Sequence, residues 1–302
     1  MPVPSVHFRS KPQQKIFLQP INVNLYNGIS VNPVEFDRQQ LETALMRRKH
    51  KYLPLSLHVF DTVASTNLTV WNLLEQGAAS GCVVIATSQT AGRGQWGRQW
   101  SSPGGGLYLS VAIAPQLQAS NSYQLTLALC WGIAKQLQKC GVNVGIKWPN
   151  DLVLSSRKLG GILTETKVHK GKITQAVVGV GINWSNSVPE TGINLKFWQA
   201  KERKSAIDSL EMLALEVLQG IEFGVECLCE KGVNILLSDY LNLLTNMGDK
   251  VDIKNHSGTV VGVTPTGELR IKMETYDTKT VIIPEICLQP GTISLGYSKS
   301  SD

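Results

Sequence analysis

The sequence predicts an α+β fold: a mixed β-sheet core with helices, followed by a small C-terminal β-barrel. Three observations carry this. Strand-like and helix-like segments alternate up to about residue 140. Three strand-like segments joined by short turns then fill residues 144–184. From about residue 248 the chain breaks into short runs with period-two alternation, separated by Gly, Asn-His-Ser and Thr-Tyr-Asp turns.

Residues 1–34 contain prolines at 2, 4 and 12 and no clear period, so they read as an irregular arm. Residues 35–49 read as a helix with Leu41, Ala44, Leu45 and Arg48 along one face. "LSLHVFDTV" (55–63) is a strand, and "ASTNLTVWNLLEQG" (64–77) a helix with Ser, Thr and Asn at its start and Gly77 at its end. "CVVIAT" (82–87) and "LYLSVAIA" (107–114) are strands flanking a glycine-rich loop. Residues 121–140 form a mostly buried helix stopped by Gly141. "VGIKWPNDLVL" (144–154), "KLGGILTETKV" (158–168) and "KITQAVVGVGINW" (172–184) make a three-stranded meander, and the Leu- and Glu-rich residues 203–246 two helices. "KVDIKN", "GTVVGV", "ELRIKM" and "TVIIPE" give the final barrel an SH3-like look. The expected divisions are an arm (1–34), a core domain (35–246), the barrel (247–296) and a tail (297–302).

The 302 residues are 42% hydrophobic and 17% charged, enough apolar content for a sizeable core. No basic stretch followed by an apolar one opens the chain, and no run of about 18 uncharged apolar residues occurs, so neither a signal peptide nor a membrane span is expected. The six cysteines form no C-x-x-C and the five histidines no H-x-x-x-H, which disfavours zinc and disulfides and suits a cytoplasmic protein. Net charge is +6, unevenly spread: residues 76–150 carry Arg93, Arg98, Lys135, Lys139 and Lys147 and no carboxylate. An acid-free stretch with two arginines in a glycine loop suits an anionic ligand.

That loop, "AGRGQWGRQW" (91–100), contains the Gly-x-Gly-x-x-Gly pattern of dinucleotide-binding domains. The pattern needs a helix after the last glycine and an acid about 20 residues on. Here "RQWSSPGGG" follows, which cannot open a helix, and the next acid is Asp151. No Gly-x4-Gly-Lys-Ser/Thr or kinase signature is present either. What fits is a mobile loop whose backbone N–H groups and arginines close over an anion.

Six segments, in order, are similar to those of biotin protein ligases: "STN" (65–67), "TSQTAGRGQWGRQW" (87–100), "GLYLSV" (106–111), "KWPNDLVL" (147–154), "KLGGILTE" (158–165) and "VGVGINW" (178–184). The resemblance runs from about residue 57 to 240, and the small β-module fits the family's C-terminal one. It implies a biotin/lipoate-ligase-type core, class II synthetase-like, that activates biotin with ATP and Mg²⁺ to biotinyl-5′-AMP. The biotinyl group then passes to a lysine of a biotin carboxyl carrier protein domain, that of acetyl-CoA carboxylase.

By resemblance, Ser65, Thr66, Asn67 and Gln89 contact biotin, as do Arg93, Gly94 and Gln95 of the loop. Lys158 is the active-site lysine, touching the biotin carboxylate and the α-phosphate, with Arg93 as its catalytic companion. Arg98, Lys147, Asn150 and Asn183 are expected at the nucleotide. Asp151, beside Asn150, suits either Mg²⁺ or orientation of the incoming amine. A lipoate-type ligase or acyltransferase on the same core, and a nucleic-acid-binding regulator, are the alternatives. One good helix in the first 56 residues is too little for a DNA-reading module, so the monofunctional type with no specific DNA or membrane partner is expected.

Gln95 stands where many family members carry Arg, leaving this loop one charge short. A charge-assisted hydrogen bond contributes about 1.5–3 kcal/mol against about 1 for a neutral one, so retention of the intermediate rests more on Arg93, Arg98 and Lys158. Gln95→Arg should therefore slow release of biotinyl-AMP in a single-turnover assay; an unchanged release rate refutes this.

Overall fold

The computed structural model describes residues 36–47, 54–203, 207–253, 256–274 and 285–297. The arm expected at 1–34, Arg48 and most of "TVIIPE" lie outside them.

Helix α1 (Arg38–Met46) starts at Asp37, whose side chain accepts from Gln40 N, and buries Leu41 and Leu45. A seven-stranded sheet follows: β1 (Ser56–Val63), β2 (Cys82–Gln89), β3 (Gly106–Ile113), β4 (Gly145–Lys147), β5 (Asp151–Leu154), β6 (Arg157–His169) and β7 (Lys172–Asn183). Its order is β1-β2-β3-β7-β6-β5-β4. Only β1 and β2 pair in parallel, and α2 (Thr66–Glu75) supplies the crossover that a parallel pair needs.

Period-two alternation sorts the sheet's side chains onto two faces. Val83 and Ile85 of β2, Leu107, Leu109 and Val111 of β3, and Val178, Val180 and Ile182 of β7 enter the main core. There they share a cluster with α3 (Ser122–Lys139) and α5 (Leu210–Lys231). The intervening Cys82, Val84, Ala112 and Val177 form a smaller core with Val70 of α2. Helices α3 and α5 approach through glycines: a Cβ on Gly132 would lie 2.1 Å from the Gly220 carbonyl oxygen, and one on Gly224 2.2 Å from that of Ala128.

Three expectations need correction. "VGIKWPNDLVL" is two antiparallel strands, β4 and β5, because a turn at Trp148–Asn150 folds the segment back on itself. A further helix, α4 (Leu195–Glu202), starts at Asn194, whose side chain accepts from Phe197 N. The last strands, β8 (Lys250–Ile253), β9 (His256–Val263), β10 (Leu269–Met273) and β11 (Glu285–Leu288), form a sheet of order β11-β10-β9-β8. Among the described residues its edge strands do not pair with each other, so it is an open meander where a closed barrel was expected. Helices α5 and α6 (Val233–Leu241) are the two expected in 203–246, divided at Gly232 with φ +79°.

Gly224→Val should overpack the α3–α5 contact at a cost of about 1–3 kcal/mol. A fall of several degrees in Tm in thermal unfolding is the expected result.

Candidate functional site

A cleft lies on the α2 side of the sheet. Its floor exists because β7 reads Val178-Gly179-Val180-Gly181-Ile182. The apolar residues point into the core, and the glycines leave the opposite face bare. A Cβ on Gly179 would stand 2.1 Å from Asn67 Oδ1, and one on Gly181 2.4 Å from Trp100 Nε1. Both side chains occupy space that any other residue would fill.

One end of the cleft is polar and neutral. Ser65, Thr66 and Asn67 open α2, all buried. Ser65 occupies the N-cap position, but its side chain makes no capping hydrogen bond. Thr66 donates to Gln89 Oε1 from its backbone N (2.8 Å) and its hydroxyl (3.2 Å), and Gln89 Nε2 donates to Ser102 Oγ (2.8 Å). Beneath them Ser110, 0% exposed, donates to Asn67 Oδ1 at 2.6 Å and lies 2.7 Å from Thr66 Oγ1.

The glycine loop is a tight hairpin over this end. Gly94 N donates to the Arg98 carbonyl (2.7 Å) and Trp100 N to that of Gly92 (2.9 Å). Trp96 and Gly97 turn it with φ +54° and +75°. No long helix follows Gly97, as the dinucleotide pattern would require; β3 does. Arg93 reaches across to Glu165 Oε2 at 2.9 Å. Arg98 stacks its guanidinium 5.6 Å from the Trp96 ring centroid. Gln95 Oε1 is buried with no hydrogen-bond partner.

The other end is cationic. Lys158 Nζ is 2.7 Å from Asp151 Oδ1 and 5.3 Å from the Trp100 ring centroid. Tyr297 donates its phenol proton to Asp151 Oδ2 at 2.7 Å. Lys147, 7% exposed, donates to the Gly296 carbonyl and sits 3.6 Å from the centroid of the Tyr297 ring. Burial lowers the Lys147 pKa, opposed by the charges of Asp151 and Asp249. Burial, with Asp151 alongside, raises that of Tyr297. Trp148 anchors the Pro149 turn: its N donates to Asn246 Oδ1 (3.2 Å) and its Nε1 to the Gly267 carbonyl (2.9 Å).

All the expected site residues except Asn183 line this one cleft. Asn183 is buried and directs its amide N–H to the Lys158 and Ile193 carbonyls, both at 3.3 Å, away from the lining. Sequence reasoning missed Ser110, Glu165 and the C-terminal residues 293–297. "GLYLSV" and "KLGGILTE" contain the first two without marking them, while a lone tyrosine near the C-terminus carries no signal at all. Asp151 is the one carboxylate in the lining, and no group of three or more His, Cys, Asp or Glu suited to a metal occurs among the described residues. This donor set fits a magnesium ion that arrives already held by phosphate oxygens, and does not fit a protein-built cage.

Ser110→Ala leaves the Asn67 carbonyl short of its buried donor. Stability should drop by about 1–3 kcal/mol, read as a lower denaturant midpoint at unchanged m.

Residues 59–183 match the biotin/lipoate A/B protein ligase family. The bifunctional ligase/repressor BirA of Escherichia coli is 34% identical over 191 residues, 62% of this chain and 59% of that protein. Its counterpart in Bacillus subtilis is 34% identical over 125 residues, 41% and 38%. The chain thus spans well under two thirds of the length of these relatives. A biotin protein ligase from Aquifex aeolicus in complex with biotin and ATP matches with TM-score 0.60 at 27% identity, covering 72% of this chain and 92% of that one. The matched stretch holds most of the sheet and nearly all of the cleft's polar residues, and over it the chain is similar to the biotin/lipoate A/B protein ligase family.

Proposed function

We propose that the chain is a biotin–protein ligase. It joins biotin and ATP into biotinyl-5′-AMP and passes the biotinyl group to one lysine of a biotin carboxyl carrier domain, that of acetyl-CoA carboxylase. One observation carries the reading: a single cleft sets a neutral hydrogen-bonding pocket against a cluster of cations whose present partners are the chain's own groups.

Biotin's ureido ring offers two N–H donors and a carbonyl acceptor. Ser65, Thr66, Asn67 and Gln89 supply matching hydroxyl and amide groups. A lipoyl ring has none of these and would leave buried polar groups unpaired, which is how such a site rejects it. In the first step a biotin carboxylate oxygen attacks the α-phosphorus, the bond from that phosphorus to the bridging oxygen breaks, and pyrophosphate leaves. Arg93 and Lys158 exchange Glu165 and Asp151 for the ligand's carboxylate and α-phosphate. They thereby hold two anions within reach of each other. Lys147 and Arg98 serve the remaining phosphates. Magnesium, when bound, neutralises phosphate charge, with Asp151 as its protein ligand. In the second step a neutral lysine amine attacks the acyl carbon, AMP leaves with the bonding pair, and the new amide nitrogen loses a proton. The hairpin, with Trp96 and Trp100, shields the mixed anhydride from water.

The reading extends to a reducing, cytoplasmic setting, in keeping with six free cysteines and with no described helix long and apolar enough to cross a membrane. It takes 35–246 as the ligase domain and 247–296 as an SH3-like module.

With labelled biotin, MgATP and a carrier domain, the protein should label the carrier. Lys158→Ala should lose about 10²-fold or more in adenylate formation. Equal labelling by both proteins refutes the site assignment; adenylate with lipoate but not with biotin refutes the substrate.

A further inference from the structure

Glu165 closes "KLGGILTE" and does more than hold Arg93 at rest. Its Oε2 accepts three hydrogen bonds: from Arg93 Nη2 of the hairpin (2.9 Å), Asn67 Nδ2 (2.9 Å) and Trp71 Nε1 (3.2 Å) of α2. The carboxylate thus sits where the lid, the helix that opens the neutral pocket, and β6 converge.

The Asn67 amide has two ends of nearly equal size, and its recognition chemistry depends on which end points where. On one side it meets Ser110, a hydroxyl that can donate or accept, so that contact does not decide the orientation. On the other it meets Glu165, an ionised acceptor that cannot donate. A reversed amide would bring Oδ1 against the carboxylate. Because Asn67 and Ser110 are buried, water cannot compensate. We propose that Glu165 is a positioning residue that fixes the polarity of the Asn67 amide, and through it the donor–acceptor pattern offered to a ring ligand. Its bond to Arg93 couples the same carboxylate to the lid. The inference rests on the reading of the cleft as a biotin site and adds the residue that sets its polarity.

The test is biotin titration calorimetry on the full chain, with thermal unfolding and adenylate formation measured in parallel. Glu165→Gln offers an amide that can present either end. Biotin should then bind at least tenfold more weakly, with KM for ATP within twofold of the parent. The exchange variant Asn67→Asp with Glu165→Gln restores a hydrogen-bonded pair and one negative charge but reverses its polarity. It should regain part of the Tm lost in Glu165→Gln, since Arg93 and Trp71 still lose their shared acceptor oxygen, and still bind biotin at least tenfold more weakly. A purely structural role would have the exchange variant regain affinity together with stability, and that result overturns the proposal. So does parental affinity in folded Glu165→Gln; if that variant does not fold, the exchange variant decides alone. Absence of biotin binding and adenylate in the parent protein is the distinct outcome that would sink the ligase reading itself.

Discussion

The alternation of Val and Gly along β7 is the constraint on which the rest depends. One strand must fill a hydrophobic core on one face and stay empty on the other. Val178, Val180 and Ile182 meet the first demand; Gly179 and Gly181 meet the second. The glycines weaken the strand in isolation, since they carry backbone entropy and nothing to pack. Two full-length neighbours compensate: β3 and β6 both pair along it, and α3 and α5 press on its apolar side. The cleft is therefore a by-product of a central strand that the surrounding sheet can hold without side chains.

Electrostatics then fix the resting state. Isolated charges in a partly buried cleft are costly. Each cation for which the structure gives a contact has an internal partner: Arg93 with Glu165, Lys158 with Asp151, Lys147 with a carbonyl and an aromatic face, Arg98 with an indole. An incoming anion replaces these contacts one for one, so its net gain is the difference between two sets of pairs. That difference favours a ligand bearing two anionic groups at the right separation over either group alone.

Much of this was legible in the sequence because it is local. The strands, the helix starting at Ser65–Asn67 and the loop that fails as a dinucleotide site are written in contiguous residues. The division of "VGIKWPNDLVL" was not, because the reversal at Trp148–Asn150 shows only in the pairing of β4 with β5. Glu165 and Ser110 sit inside recognisable segments, but their meaning arises only where β6, β3 and α2 meet. Asn183 lies in a recognisable segment, and its amide is committed to the Lys158 and Ile193 carbonyls. Tyr297 was unreadable, since its contact with Asp151 joins residues 146 positions apart.

That last contact also bears on how the protein comes into being. Most of the cleft is assembled from residues 65–181, but its cationic end is walled by residues 293–297. Closing so long a loop comes late and slowly, because its entropy must be lost before any contact is gained. A chain still being synthesised can hold the sheet, the hairpin and the neutral pocket, yet its cationic end stays open to water until residues 285–297 have been made. The walls of the cleft are then complete only after residues 293–297 have joined them.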